Sequence, residues 1–342
     1  MKAAVFHAPY SIEVRDDVAQ PHAAPGEVVV EVAACGICGS DLHLYRTNAH
    51  RDSGGVLRID PDGREIPGHE YAGTIVEVGE GVEGFAVGDR VVGVTGGGGF
   101  AKYVPVPVNP FQIVPIPDQL SFEEAATTEP LADSLKIARN GAVQPGENVV
   151  VFGVGIIGLG VVQALVATGV ASGRIIAIDV SDARLALARE LGATDTINPR
   201  DGDVVEQAIA LCGRATTVFS KATGANVAVV FDCAGYLKHM KGKPPLQLAL
   251  DMIRPDDGRI VCFGAHEGEL TLVLDELIEK QTRIIGSLGY AAEELQQAVE
   301  LMASGKVDRA RLISHRFVLD EIGAALKAQG NGTAIKVMVT PQ

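Results

Sequence analysis

The run Cys38-Gly39-Ser40-Asp41-Leu42-His43 and the later Gly68-His69-Glu70 bring a thiolate, imidazoles, carboxylates and a hydroxyl into one N-terminal region. A zinc ion takes such a mixture of sulfur, nitrogen and oxygen donors, and a site with three protein ligands keeps a position open for a reacting oxygen. A second motif, Gly153-Val154-Gly155-Ile156-Ile157-Gly158, directly follows the apolar run 149–152. Glycines between a strand and a helix let the backbone approach a pyrophosphate, and the helix start offers free N–H groups to it. Asp179 ends the next apolar run, where a carboxylate can accept hydrogen bonds from the adenosine ribose hydroxyls. That carboxylate would repel a 2′-phosphate, so NAD is expected rather than NADP. Arg184 can approach the adenine end or stand as a solvated helix residue. Metal and dinucleotide together point to hydride transfer: a metal acidifies an alcohol, and the alkoxide can expel a hydride to nicotinamide.

Two scaffolds are needed to position these groups. Residues 1 to about 118 read as short β segments (28–32, 73–78, 88–94, 101–108) punctuated by Gly and Pro, which argues for a closed or rolled antiparallel sheet. Ser121 with Glu124 has capping-box spacing, so a helix is expected from there through Glu129 towards Arg139, ended by Asn140-Gly141. From Glu147 strands alternate with helices: 149–152, a helix to about 168, 175–178, a helix 181–191 stopped by Gly192, then 227–231 and 259–263. This order predicts a parallel, doubly wound sheet. A helical run at 293–303 and a β-like run at 334–339 return to the first scaffold. The expected domains are 1–126 with 288–342, and 127–287.

Bulk properties narrow the function. A chain of 342 residues that is 47% hydrophobic and 21% charged has material for two cores. A net charge of −14 opposes binding to nucleic acid or to an anionic membrane, leaving a small molecule as the expected partner. Five cysteines make no even disulfide framework, which fits a reducing cytoplasm. Ser11, Glu13 and Arg15 interrupt residues 1–15, so no signal-peptide core is read there. Residues 149–171 are apolar enough to suggest a membrane span, but their glycines divide them into a buried strand and a helix under a sheet. Cys35, with no second C-x-x-C in the chain, is expected in the core. His7, His22, His50, His239, His266 and His315 have no chemical company and receive no role.

Taken in order, Cys35-Gly36-Ile37-Cys38-Gly39-Ser40-Asp41-Leu42-His43, Gly68-His69-Glu70-Tyr71-Ala72-Gly73 with Gly79 and Val82, Gly88-Asp89-Arg90-Val91, Glu129-Pro130-Leu131-Ala132 and the Gly153 fingerprint resemble the zinc-dependent medium-chain dehydrogenases. The Glu-Pro-Leu-Ala element is more similar to the polyol-type branch, the sorbitol, butanediol and threonine dehydrogenases. The resemblance spans essentially the whole chain. It implies an α/β protein with a GroES-like β-barrel catalytic domain, a Rossmann domain and an active site in the cleft between them. It further implies zinc on Cys38 and His69, with Glu70 as a ligand or just beneath the metal and Glu129 in the remaining protein position. Neighbouring residues on a regular strand point to opposite faces, so His69 and Glu70 can both bind only if the backbone bends, which Pro67-Gly68 makes plausible. Two carboxylates and a thiolate would leave zinc net negative and a weaker Lewis acid, so one Glu is expected to bind loosely or through water. Ser40 and His43 resemble the family's proton relay, and Asp41 is expected to orient a ligand. Ile156, Ile157, Phe263, Gly264, Ser287 and Leu288 join the glycines, Asp179 and Arg184 as cofactor-contacting candidates. A homodimer or homotetramer, joined near 270–274 and 284–287, is implied as well.

The chain also departs from that family. Where many relatives carry a four-cysteine zinc lobe after Gly-Asp-Arg-Val, Gly96 to Gly99 runs on with no cysteine, so one catalytic zinc and no structural zinc are expected. Residues 45–66 could form an added loop over the substrate pocket. Asp133, one helical turn after Glu129, could bind a polar substrate group or serve as scaffolding. The competing readings are a zinc-free NADPH-dependent quinone or enone reductase on the same fold, and a catalytically silent NAD-binding protein.

Overall fold

Glu27–Gly36 is a ten-residue strand rich in valine, and its neighbours decide where the chemistry falls. In a computed structural model describing residues 1–48, 57–169, 173–217, 221–236, 240 and 242–341, it pairs antiparallel with Glu70–Val78, Tyr103–Pro107 and Lys336–Thr340. The register sets Gly36 opposite Glu70 on one side and Met338 on the other. Arg90–Val94 and Ile113–Pro115 extend the sheet beyond Glu70–Val78, and Ile313–Val318 extends it beyond Lys336–Thr340. That last pair is parallel, whereas the strand pairings described within residues 1–118 are antiparallel, as the sequence suggests. Val28, Val30, Val32, Tyr71, Ile75, Val91, Val104, Val337 and Val339 form the core on it.

A four-stranded sheet, in the order Ser11–Arg15, Ala3–Ala8, Glu65–Pro67, Leu57–Ile59, lies in the same unit, which comprises 1–129 and 291–342. Part of the expected loop 45–66 is therefore strand: Leu57–Ile59 pairs with Glu65–Pro67, and residues 49–56 lie outside the described residues. His50 and His239 lie outside them too.

The second unit, 130–290, carries six parallel strands in the order Asp195–Ile197, Ile175–Ile178, Val149–Phe152, Val229–Asp232, Arg259–Cys262, Arg283–Gly286. Counted along the chain this is 3-2-1-4-5-6, the doubly wound order of a dinucleotide-binding sheet. Val149–Phe152 is buried at every position, as expected of a strand covered on both faces. The apolar stretch 149–171 divides into this strand and a helix, Ile156–Ala167, and no described helix is long and apolar enough to cross a membrane.

One expected helix is two. Ser121 caps a single turn, Phe122–Ala125, by accepting the Glu124 N–H at 3.1 Å. A second helix, Thr128–Gly141, then starts afresh. Pro130 explains the break, because it lacks the N–H that would bond to the Ala126 carbonyl and its ring crowds that carbonyl. The restart places Glu129 in a first helical turn, where the helix dipole favours a carboxylate.

Candidate metal centre and dinucleotide turn

Cys38 stands immediately before the helix Gly39–Thr47, and its backbone N–H is held by the Asp41 carboxylate at 2.9 Å. The other Asp41 oxygen lies 3.7 Å from Nδ1 of His69. Asp41 thus fixes the thiol-bearing residue and faces one edge of the imidazole, leaving Nε2 for other work. Gly68 adopts φ +90°, and a Cβ there would run into Phe100, so the chain turns sharply between Glu65–Pro67 and the strand that starts at Glu70. The turn brings His69 and Glu70 to the same place despite their being neighbours. Ligand atoms of Cys38, His69 and Glu70 all lie within 4.8 Å of one another.

Behind Glu70 sits a cation that sequence reasoning missed. Lys336 is fully buried, its Nζ paired with Oε2 of Glu70 and donating to the Ile37 carbonyl at 3.0 Å. Gly36 makes room for the pair, since a Cβ there would collide with Glu70 Oε2 and the Lys336 stem. A lysine inside the apolar run Ala334-Ile335-Lys336-Val337-Met338 was the one available signal.

Fit to a divalent cation can be judged from these atoms. Oε1 of Glu70 is buried without a hydrogen-bond partner among the described residues, which is costly unless a cation takes it. Burial alone would lower the His69 pKa, yet Asp41 and Cys38 raise it well above the ordinary value. A pocket that holds a proton so firmly is electron-rich, and a metal competes for the same lone pair. Thiolate, imidazole and carboxylate on three protein positions fit zinc with one position open.

Glu129 is not among the clustered ligand atoms, so the expected set of Cys38, His69, Glu70 and Glu129 is reduced to three in direct proximity. Close to it stands a second buried cation, Arg309. Its Nε lies 3.5 Å from the Thr127 hydroxyl, and its pKa is pushed down to about 9 by burial, against the pull of Glu70 and Glu129. Ser40 and His43 are half-buried, three residues apart on the Gly39–Thr47 helix and so on one face. Cys35 is fully buried and its thiol pushed up by that burial, as suits a core residue. Asp133 is buried in the helix Thr128–Gly141.

In the second unit the glycine motif forms a turn at the C-terminal end of Val149–Phe152. Gly153 takes φ +78°, a Cβ on it would strike Ala234, and a Cβ on Gly158 would strike the Gly153 carbonyl. Gly155 precedes the helix Ile156–Ala167 and faces open space, which leaves its backbone approachable. Asp179 accepts the Val154 and Ser181 N–H groups, each at 2.9 Å, and Arg184 Nη1 lies 3.9 Å from it. Each carboxylate oxygen keeps a lone pair for a ribose hydroxyl. Phe263-Gly264 and Ser287-Leu288 follow the ends of their strands at the same edge of the sheet; Ser287 Oγ accepts from Asn140 at 3.1 Å, and the Leu288 carbonyl accepts from Lys136 at 2.9 Å. Ligands of doubly wound sheets bind at this edge.

A metal-ligand cluster on one sheet and a dinucleotide turn on another define a metal-dependent oxidoreductase. Residues 24–118 match the alcohol dehydrogenase GroES-like domain and residues 157–304 the zinc-binding dehydrogenase domain. The chain is 31% identical to (R,R)-butanediol dehydrogenase of Bacillus subtilis, over all of both chains, and 32% identical to the sorbitol dehydrogenase of the same organism, covering all of this chain and 97% of that one. The crystal structure of 2R,3R-butanediol dehydrogenase from B. subtilis superposes with a TM-score of 0.82 at 29% identity, covering 100% and 99% of the two chains. The chain belongs to the zinc-type medium-chain alcohol dehydrogenases, with a GroES-like domain and a Rossmann domain, and its cofactors are zinc and a nicotinamide dinucleotide.

Proposed function

We propose that this enzyme oxidises a secondary alcohol or polyol to a ketone or aldehyde, passing the hydride to NAD, with one zinc held by Cys38, His69 and Glu70. The observation that carries the reading is the convergence of those three ligand atoms within 4.8 Å, in a chain related to butanediol and sorbitol dehydrogenases. A zinc-free reductase has no use for that cluster.

Zinc, when bound, acidifies the substrate hydroxyl and polarises the carbonyl formed from it. Cys38 and Glu70 would supply the charge that neutralises the ion, and with Asp41 facing Nδ1 at 3.7 Å, Nε2 is the nitrogen His69 would offer it. Ser40 takes the hydroxyl proton as it gives its own to His43, which releases a proton to solvent, along one helix face. The turn from Gly153 to Gly158 and the start of its helix receive the pyrophosphate, and Asp179 the ribose. A screen of diols, sugar alcohols and cyclic alcohols with NAD, followed by NADH absorbance, tests the reading; no turnover on any of them by zinc-loaded protein would defeat it.

Asp179 supports NAD over NADP, because its carboxylate would meet a 2′-phosphate with like charge while Arg184 is engaged beside it. Asp179→Asn removes the repulsion. The ratio of kcat/KM for NADP to that for NAD is expected to rise tenfold or more, about 1.4 kcal/mol; an unchanged ratio would deny Asp179 this part.

The edge strand Arg283–Gly286 exposes Ile284, near in sequence to exposed Val273, Leu274, Ile278 and Leu288. An uncovered apolar sheet edge favours pairing with a second copy, giving a homodimer or homotetramer. Light scattering is expected to return two or four chain masses, and Ile284→Lys to reduce that to one. A single mass for the parent would refute the pairing. The five cysteines stand as free thiols, which suits the reducing cytoplasm in which we place the enzyme.

A further inference from the structure

Asp232 has no part in the chemistry above, yet it is a fully buried acid at the C-terminal edge of the parallel sheet. It ends the strand Val229–Asp232, and the register sets it between Phe152 on one side and Cys262 on the other. The residue after Phe152 is Gly153, where the glycine turn begins, and the residue after Cys262 is Phe263. Asp232 therefore stands between two turns that carry cofactor-contacting candidates.

Its atoms reach both sides. Oδ1 accepts the N–H groups of Ala234 at 3.1 Å and Gly235 at 2.9 Å, which closes the turn following its own strand. Its main-chain carbonyl accepts the N–H groups of Phe263 and Gly264, each at 3.0 Å, and the Cys233 N–H donates to the Phe152 carbonyl at 2.9 Å. The turn closed by the side chain is wedged between its neighbours without room for side chains. A Cβ on Gly153 would strike Ala234, and a Cβ on Gly264 would strike the Gly235 backbone. Gly235 takes φ +67°, and a Cβ there would strike the Ala265 carbonyl. A shift of residues 233–235 is thus passed directly to Gly153 and to Gly264.

A buried carboxyl is a costly way to close a turn. Oδ2 has no hydrogen-bond partner among the described residues, and burial raises the Asp232 pKa above the ordinary carboxylate value, against the pull of the Gly235 and Ala234 N–H groups and of His266. A raised pKa favours the neutral acid, which adds no negative charge to an edge that accepts a diphosphate. Departures from the packing rule of this kind concentrate where function requires them.

We propose that Asp232 is a positioning residue for the dinucleotide: through Oδ1 it fixes the turn 233–235 against Gly153 and Gly264, so that both neighbouring turns hold the shape the cofactor binds. The proposal rests on the reading that places the dinucleotide at the Gly153 turn. Asp232→Val keeps a strand former at the position and removes the acceptor, whereas Asp232→Asn keeps an amide oxygen where Oδ1 stands.

The test titrates each purified full-length variant with NADH by fluorescence and records its urea unfolding midpoint separately. Asp232→Val is expected to raise the Kd for NADH at least fivefold with its unfolding midpoint near that of the parent, and Asp232→Asn to return the Kd to within twofold. A folded Asp232→Val whose Kd rises less than fivefold would overturn the proposal, and so would an Asp232→Asn as weak as Asp232→Val. Should Asp232→Val fail to fold, hydrogen exchange in the parent decides: protection of 233–235 rising with that of 153–158 on adding NADH supports the proposal, and protection confined to 153–158 overturns it. A parent that gains no protection at 153–158 on binding NADH would instead remove the reading on which the proposal stands.

Discussion

Cys38→Ser is expected to lower turnover by roughly a thousandfold or more while leaving dinucleotide binding within about twofold of the parent. A serine hydroxyl stays protonated near neutral pH and is a poor zinc ligand, whereas the thiolate contributes a full charge to the ion. Two ligands, His69 and Glu70, would remain, one of them already committed to Lys336. The metal then loses occupancy and with it the acidification of the substrate hydroxyl, a contribution of several kcal/mol. The groups expected to bind the dinucleotide belong to the unit 130–290, which does not contain Cys38. Steady-state kinetics alongside fluorescence titration with NADH separates the two effects. Turnover within tenfold of the parent would remove Cys38 from the centre.

The second large effect concerns stability. Glu70 and Lys336 are both fully buried, and removing one member of such a pair strands the other's charge. Lys336→Met is expected to destabilise the metal-free protein by about 3–5 kcal/mol, read from urea unfolding of its domain. Glu70→Gln with Lys336→Met should recover most of that loss, because both charges are then gone. Adding zinc should stabilise Lys336→Met more than the parent, since Glu70 has then lost the ammonium it pairs with and the ion takes that place. A loss below about 0.5 kcal/mol in the single variant would show the pair to be energetically neutral.

Much of the fold was legible because its signals are local. The apolar strands at 149–152 and 175–178 and the glycine turn between the first of them and its helix read directly as a dinucleotide unit, and Ser121 announced its own cap. Pro130 was visible too, but it was read as part of a motif rather than as the cause of a helix break. Cys38, His69 and Glu70 could be picked out by residue type, and the Pro67-Gly68 bend that unites the last two was foreseeable from glycine's freedom at positive φ. What the sequence concealed depends on long-range register. Lys336 meets Glu70 only because Lys336–Thr340 and Glu70–Val78 flank the same strand, at separations no local pattern encodes. Arg309 lies among Asp308, Ala310 and Arg311, in a polar stretch that looks like solvated surface, and its burial has no local sign. Glu129 was expected among the ligands, and the clustered ligand atoms do not include it.

One metal ion bound through the Cys38 thiolate is the centre of the proposed chemistry, and metal analysis joined to cobalt substitution tests it most directly. Protein dialysed free of metal and reloaded with zinc is predicted to retain about one ion per chain, and the cobalt form to show thiolate-to-metal charge-transfer absorption that vanishes in Cys38→Ser. Protein that retains no zinc, or a charge-transfer band undiminished in Cys38→Ser, would contradict it.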